Sequence, residues 1–218
     1  MHGDNGAPIQ KAPTEDRTML DPITRLDEGA TAEAAEKKSP DIEQRLFKAR
    51  TILIYGGINQ KLAERVTARL LAMQAESDAP ITIFINSQGG HVESGDTIYD
   101  MIKFVKPEVR IIGTGWVASA GALIYSAAQR KNRYSLPNTR FMLHQPSGGA
   151  GGTASDIEIH AREILRMRER LDQIFARETG QPLECVSRDT ERDHWMTAAE
   201  AKEYGLVGSI IGSANELP

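Results

Sequence analysis

Three short β-branched runs, Arg50–Tyr55, Pro80–Ile85 and Pro107–Ile112, recur about 27–30 residues apart with helix-periodic segments between them. No other feature of the chain limits its fold as strongly. An apolar run bounded by Gly or Pro reads as a strand buried on both faces. Strands alternating with helices of this length form βαβ units, which build a mainly parallel sheet covered by helices. The segment after Asn59 places Ala63, Val66, Leu70, Leu71 and Met73 on one helical face, with Asn59 as its cap. Ser94–Phe104 is the second helix, turning Ile98, Met101, Ile102 and Val105 inward. Gly113-Thr-Gly115 leads into a small-residue helix over Ala118–Ala128.

The rest of the chain is less regular. Arg133–Ser135 and Thr139–Met142 read as short strands. Ser147–Gly152 holds four glycines in six residues and reads as an exposed, bendable connection. Ser155–Glu178 is a long helix with Ile157, Ala161, Ile164, Leu165, Leu171, Ile174 and Phe175 at helical spacing, stopped by Gly180. That apolar face is wide for so small a domain and predicts packing against something beyond its own sheet. Pro182–Arg188 is a short helix, Thr197 and Glu200 form a capping box, and Leu206–Ile211 is a final strand. Residues 1–40 differ from this body. They carry eight acidic and five basic residues and four of the ten prolines, and read as a flexible polar extension with a short helix near Ala30–Lys38. The folded body, 41–218, is one domain.

Composition narrows the function classes. One cysteine, Cys185, excludes an intramolecular disulfide, a four-cysteine zinc site and a disulfide-stapled scaffold. A formal charge of −4 gives no electrostatic reason to expect nucleic acid or an anionic membrane. No apolar run approaches the ~20 residues that span a bilayer, and the start lacks the pattern of a secretory signal, so the expected location is cytoplasmic.

Four features carry candidate chemistry. Ser119 follows a buried strand and begins a helix, flanked by Ala118, Ala120 and Gly121. A nucleophilic serine needs such a turn, with small neighbours and helix N–H groups toward developing negative charge. Valine at 117 breaks the Gly-x-Ser-x-Gly pattern, so helix packing is the rival reading. His144 ends the strand Phe141–His144, where an imidazole could take the serine proton or be a satisfied strand-end residue. Asp193 precedes the Thr197 cap and could orient a histidine; Asp189 and Glu191 are equally charged, and spacing does not choose among them. Asn86-Ser-Gln-Gly-Gly90 ends a strand with backbone donors for an oxyanion or a phosphate. Neither Gly-x-x-x-x-Gly-Lys-Ser/Thr nor Gly-x-Gly-x-x-Gly occurs, which weakens nucleotide binding, and no His-Glu-x-x-His occurs.

These features, in this order, resemble the Clp protease proteolytic subunits (peptidase family S14) over residues 41–212. Gly115-Trp-Val-Ala-Ser119-Ala-Gly121 is similar to the segment that carries the family's nucleophile. Met142-Leu-His144-Gln-Pro146 is similar to the one carrying its base. Arg188–Ala198 resembles the stretch with its aspartate and assigns that role to Asp193. The resemblance implies an α/β, crotonase-like ββα spiral with a protruding helix-and-strand handle at about 147–178, its strand over Gly148–Gly152. It implies an ATP-dependent serine endopeptidase with a Ser119–His144–Asp193 triad, acting on peptides or unfolded proteins. Oxyanion donors would be the backbone N–H groups of Gly90 and Ala120. Phe84, Phe104 and Tyr134 would form an ATPase-docking pocket, and Arg192 an inter-ring contact. Expected partners are the chain's own copies in stacked rings of seven, an AAA+ ATPase and a possible paralogous subunit. No cofactor or metal is expected, ATP being used only by the ATPase.

The chain departs from the family at Gln88 (for proline), Ala120 (for methionine), Trp116 and His91, and the leader stands where the family has a short apolar axial loop. A weakly active ring subunit beside an active paralogue and a crotonase-fold acyl-CoA enzyme are the alternatives.

Overall fold

The computed structural model describes residues 40–149 and 151–218, all within one unit, Ser39–Pro218. The expected polar extension, Pro40 apart, lies outside the described residues. The chain runs α1 (Pro40–Lys48), β1 (Thr51–Ile58), α2 (Gln60–Glu76), β2 (Ile81–Gly90), α3 (Val92–Phe104), β3 (Val109–Ala118) and α4 (Ala120–Ser126). It continues with β4 (Arg133–Ser135), β5 (Arg140–Leu143), α5 (Ala154–Thr179), α6 (Leu183–Asp189), β6 (His194–Thr197), α7 (Ala198–Tyr204) and β7 (Ser209–Ile210). Strands β1, β2, β3, β4 and β7 lie side by side in that order, all parallel. The α/β architecture of a parallel sheet with flanking helices is the one expected.

Local signals act where they stand. The Asn59 side chain accepts the Leu62 N–H and starts α2. Thr197 and Glu200 form a reciprocal capping box at α7, and left-handed Gly180 ends α5. Leu62, Ala63, Val66, Leu70 and Met73 bury one face of α2 against the sheet, whose Ile52, Ile54, Ile83, Ile85 and Ile111 are fully buried. Leu71, expected on that face, is exposed. It stands ~100° round the helix from Leu70, outside the stripe that meets the sheet.

Three boundaries differ from expectation. Strands β1, β2 and β3 run on through the glycine pairs read as their ends. The ladder absorbs them with register shifts between Tyr55 and Gly57 and between Ile85 and Ser87. Gly90 shows why glycine is needed there: a Cβ on it would lie 2.4 Å from the Ile58 carbonyl oxygen. The small-residue helix is shorter, starting only after Ser119. No strand forms over the described part of Gly148–Gly152, where no neighbouring strand supplies ladder partners.

β3 forks the sheet. Its residues Ile111–Gly113 pair with β4, and Trp116–Ala118 pair with β5. Gly113 sits at the fork, where a Cβ would come within 3.2 Å of both Phe141 and Val117. β5 in turn pairs with β6, antiparallel. This three-stranded corner, β3–β5–β6, holds the candidate site. Helix α5 packs only its C-terminal half, through Leu171, Ile174 and Phe175. Ile157, Ile159 and Leu165, nearer its start, are exposed.

Candidate active site

Each candidate catalytic residue stands at the end of a strand of the corner. Ser119 ends β3 and is the N-cap of α4, with φ 55° and ψ −125°. L-residues rarely adopt positive φ, and such strain persists only where the surroundings impose it. Here the Ser119 N–H donates to the Met142 carbonyl at 2.9 Å, while its own carbonyl accepts from Ala122 and Leu123 of α4. The serine is thus held between strand and helix. His144 follows β5, and Asp193 precedes β6. The β5–β6 ladder pairs Arg140 with Thr197, Met142 with Trp195 and Leu143 with His194. His144 and Asp193 each stand one residue beyond the last pair.

The three side chains meet. Ser119 Oγ lies 2.8 Å from His144 Nε2, and His144 Nδ1 lies 3.1 Å from Asp193 Oδ1. With Asp193 ionised, Nδ1 carries the proton and donates to it, which leaves Nε2 free to accept the serine proton. The His144 side chain is 25% exposed and Asp193 61%, so the pair opens to solvent on the aspartate side. Neither Asp189 nor Glu191 touches the imidazole. Asp189 bonds Arg188, Cys185 and Tyr204, and Glu191 pairs with Arg168. Of the three carboxylates that spacing leaves open, Asp193 is the one that meets the imidazole.

The β2 end closes against the serine. A Cβ on Gly89, whose φ is +102°, would lie 2.6 Å from the Ser119 Cβ. The Ser87 hydroxyl donates to the Gly56 carbonyl at 2.6 Å and accepts the Gly89 N–H at 3.1 Å, bracing the loop. Gly90 ends β2 with φ +145°, and Ala120 is the first residue of α4, where a helix leaves its N–H groups without intrahelical acceptors. An apolar recess lined by Val92, Leu123, Pro146, Leu171 and Phe175 adjoins Ser119, Ala120 and His144.

Some contributors were not singled out from the sequence. Gln145 fixes His144 to the aspartate's turn: its N–H donates to the Thr190 carbonyl at 2.7 Å and its side-chain amide to the Glu191 carbonyl at 2.8 Å. Asp172 of α5, 3% exposed, accepts from Thr190 Oγ1 at 2.8 Å and Ser187 Oγ at 2.7 Å, anchoring the same turn. Its signal was an aspartate among the apolar positions Leu171, Ile174 and Phe175. The other expected residues lie elsewhere. Phe84 packs with Tyr134 in a small cluster around Ile112 and Ile211. Phe104, at the end of α3, is not in it and is 70% exposed. Arg192 is exposed and its side chain makes no hydrogen bond or ion pair among the described residues. Among the described residues no group of three or more His, Cys, Asp or Glu could hold a metal, and no helix is long and apolar enough to cross a membrane.

Comparison with known proteins agrees with this geometry. A family profile described as Clp protease matches residues 34–214. The "ATP-dependent Clp protease proteolytic subunit 3" of Rhizobium etli is 62% identical over 177 residues, covering 81% of this chain and 91% of the relative. The "ATP-dependent Clp protease proteolytic subunit 2" of Gluconobacter oxydans is 56% identical over 214 residues, covering 93% of this chain and 96% of the relative. That alignment exceeds the length of 41–218, so this relative shares part of the N-terminal leader. Among solved structures, "ClpP1 from Listeria monocytogenes" superposes with a TM-score of 0.74 at 55% identity, covering 81% of this chain and 99% of that one. The match separates the chain from the acyl-CoA alternative. The chain belongs to the Clp protease family and is a ClpP-type serine endopeptidase subunit.

Proposed function

We propose that Ser119 is the nucleophile, His144 the general base and acid, and Asp193 the group that holds the imidazole. The contact that carries this reading is Ser119 Oγ to His144 Nε2 at 2.8 Å, with Asp193 behind at 3.1 Å. Ser119 Oγ attacks a peptide carbonyl carbon as its proton passes to His144 Nε2. The backbone N–H groups of Gly90 and Ala120 receive the oxyanion. His144 then gives the proton to the leaving amine, the C–N bond breaks, and an acyl-Ser119 ester remains. Water attacks that ester, His144 takes its proton, and Ser119 is restored. The apolar recess beside Ser119, with room for about one water, opens next to the cut bond.

Substrates are short peptides and unfolded chains. The protein assembles with its own copies in stacked rings, with α5 as the handle between them and Arg192 as an inter-ring contact. The exposed Ile157, Ile159 and Leu165 support this, because large apolar side chains left in water are stabilised by a partner. The relatives' names, "ATP-dependent", support delivery of substrate by an AAA+ ATPase docking at Phe84, Phe104 and Tyr134. The same names number the relatives as subunits 2 and 3, which supports mixed rings with a paralogous subunit as a second reading. The protein works in the cytoplasm.

The test is covalent labelling by a fluorophosphonate. The native protein labels at Ser119; Ser119→Ala does not label and loses peptide hydrolysis by about 10⁴-fold or more. Full-rate labelling of the variant would assign the nucleophile elsewhere.

A further inference from the structure

Three side chains beside the triad have no part in the hydrolysis above. Trp116 of β3 and Trp195 of β6 are stacked, with ring centroids 6.4 Å apart and planes 14° from parallel. The Arg140 guanidinium of β5 lies 4.4 Å from the Trp195 ring centroid, a cation–π contact. Both indoles are open to solvent, 44% and 37% exposed.

Alternation along the strands puts this patch in step with His144 and Asp193. Trp116, Arg140 and Trp195 alternate with Val117, Phe141 and Met196, all of which are core. The patch therefore points away from the core. His144 is in step with Arg140 and Met142 along β5, and Asp193 with Trp195 along β6. Met142, paired with Trp195 across the ladder, floors the space between the patch and the triad. At about 3.3 Å per residue the patch begins ~7 Å from Asp193 and ~10 Å from Ser119.

The core is complete without the two indoles, so packing does not account for them. Their stacking and the Arg140 contact hold both rings in place before anything binds, so little side-chain freedom is lost on binding. An extended peptide lying over Ser119 carries same-face side chains every ~7 Å, which brings one of them over the rings. The rings offer broad apolar area, and Arg140 already faces Trp195, so an apolar side chain fits better than an acidic one. We propose that Trp116 and Trp195, capped by Arg140, form a substrate subsite for an aromatic or large aliphatic side chain two to four residues from the bond cut at Ser119. The inference rests on the reading of Ser119 as nucleophile, and it gives the enzyme a preference that the recess next to the cut bond does not supply.

The chain has two tryptophans, and both are in the patch, so intrinsic tryptophan emission reports on this place alone. The full-length Ser119→Ala variant is titrated with two sets of peptides. The sets differ only in carrying Phe or Leu versus Ser at positions two to four from the cleaved bond, on either side. The subsite predicts a saturable blue shift with the apolar set and none with the serine set. In the enzyme with Ser119 intact, kcat/KM favours the apolar set by about tenfold, mostly through KM. Trp116→Gln, or Trp195→Leu if the first fails to fold, brings that ratio below about twofold. Equal shifts with both sets, or a ratio unchanged by the variants, would overturn the subsite. So would variants that lose assembly in sedimentation while keeping the ratio, since the rings would then be a subunit contact. If Ser119→Ala still hydrolyses peptide, the nucleophile assignment fails, while the kcat/KM ratio and its collapse in the tryptophan variants still decide the subsite.

Discussion

His144 and Asp193 each stand one residue beyond the last pair, Leu143–His194, of the antiparallel β5–β6 ladder, and their side chains meet at 3.1 Å. Directly opposite residues on one face of such a ladder have neighbouring Cβ atoms. The meeting of the imidazole and the carboxylate is therefore a property of strand register. A one-residue slip of β6 would turn Asp193 to the other face of the sheet.

Gly89 sets how closely β2 approaches Ser119. Gly89→Ala places a Cβ 2.6 Å from the Ser119 Cβ, at a backbone φ of +102°. The strain costs about 1–3 kcal/mol. Thermal unfolding should shift down by about 5 °C, and fluorophosphonate labelling of Ser119 should slow by at least tenfold. Native labelling and melting together would show that β2 yields without cost.

Asp172 anchors the turn that carries Asp193. Asp172→Ala leaves the buried Thr190 hydroxyl and the half-buried Ser187 hydroxyl without their carboxylate acceptor and costs about 3 kcal/mol. Urea unfolding should show a lower midpoint. Asp172→Asn, which keeps one acceptor oxygen, should recover most of the loss. Equal losses in the two variants would point to packing volume or charge instead.

Glu178 gives the fold an acid-side dependence. Burial alone raises its carboxyl pKa, but hydrogen bonds from Lys103, Tyr99 and Arg177 outweigh burial and hold it below its ordinary 4.5. The unfolded chain then binds this proton more readily than the folded one. The contribution is present above the ordinary carboxylate range and is lost as pH falls through the lower, folded value. Stability measured by urea unfolding should decline below about pH 4.5, and Glu178→Gln should flatten that decline. An unchanged slope in the variant would assign it to other carboxylates.

The proposed contact between copies runs through the exposed apolar residues of α5. Leu165→Asp, at a solvent-facing position of the isolated chain, should leave the circular dichroism spectrum of the fold unchanged. Sedimentation velocity should show a smaller particle. A native sedimentation coefficient would place the contact on another surface.

Much of this protein is legible without coordinates. Three strands of the parallel sheet, β1, β2 and β3, announce themselves as β-branched runs. Asn59, the Thr197–Glu200 box and Gly180 mark helix ends correctly because each acts on backbone groups within four residues. The same local logic erred at the glycine pairs. It read them as strand ends, whereas Gly90 lies in the ladder because the Ile58 carbonyl approaches it from a strand some thirty residues earlier.

The sequence by itself determined which elements form, where most begin, and which residue types with catalytic chemistry stand at strand ends. It did not choose Asp193 over Asp189 and Glu191, nor show that Asp172 and Gln145 hold the turn. The tertiary structure brings Asp193 to the imidazole and Asp172 and Gln145 to its turn. Ser119 and His144 are 25 residues apart and His144 and Asp193 are 49 apart, and each pair meets only because β5 hydrogen-bonds to β3 on one side and β6 on the other. Helix caps and periodicity are satisfied by neighbours along the chain. Ladder register is set by burial and backbone pairing between distant segments, and no local pattern encodes it.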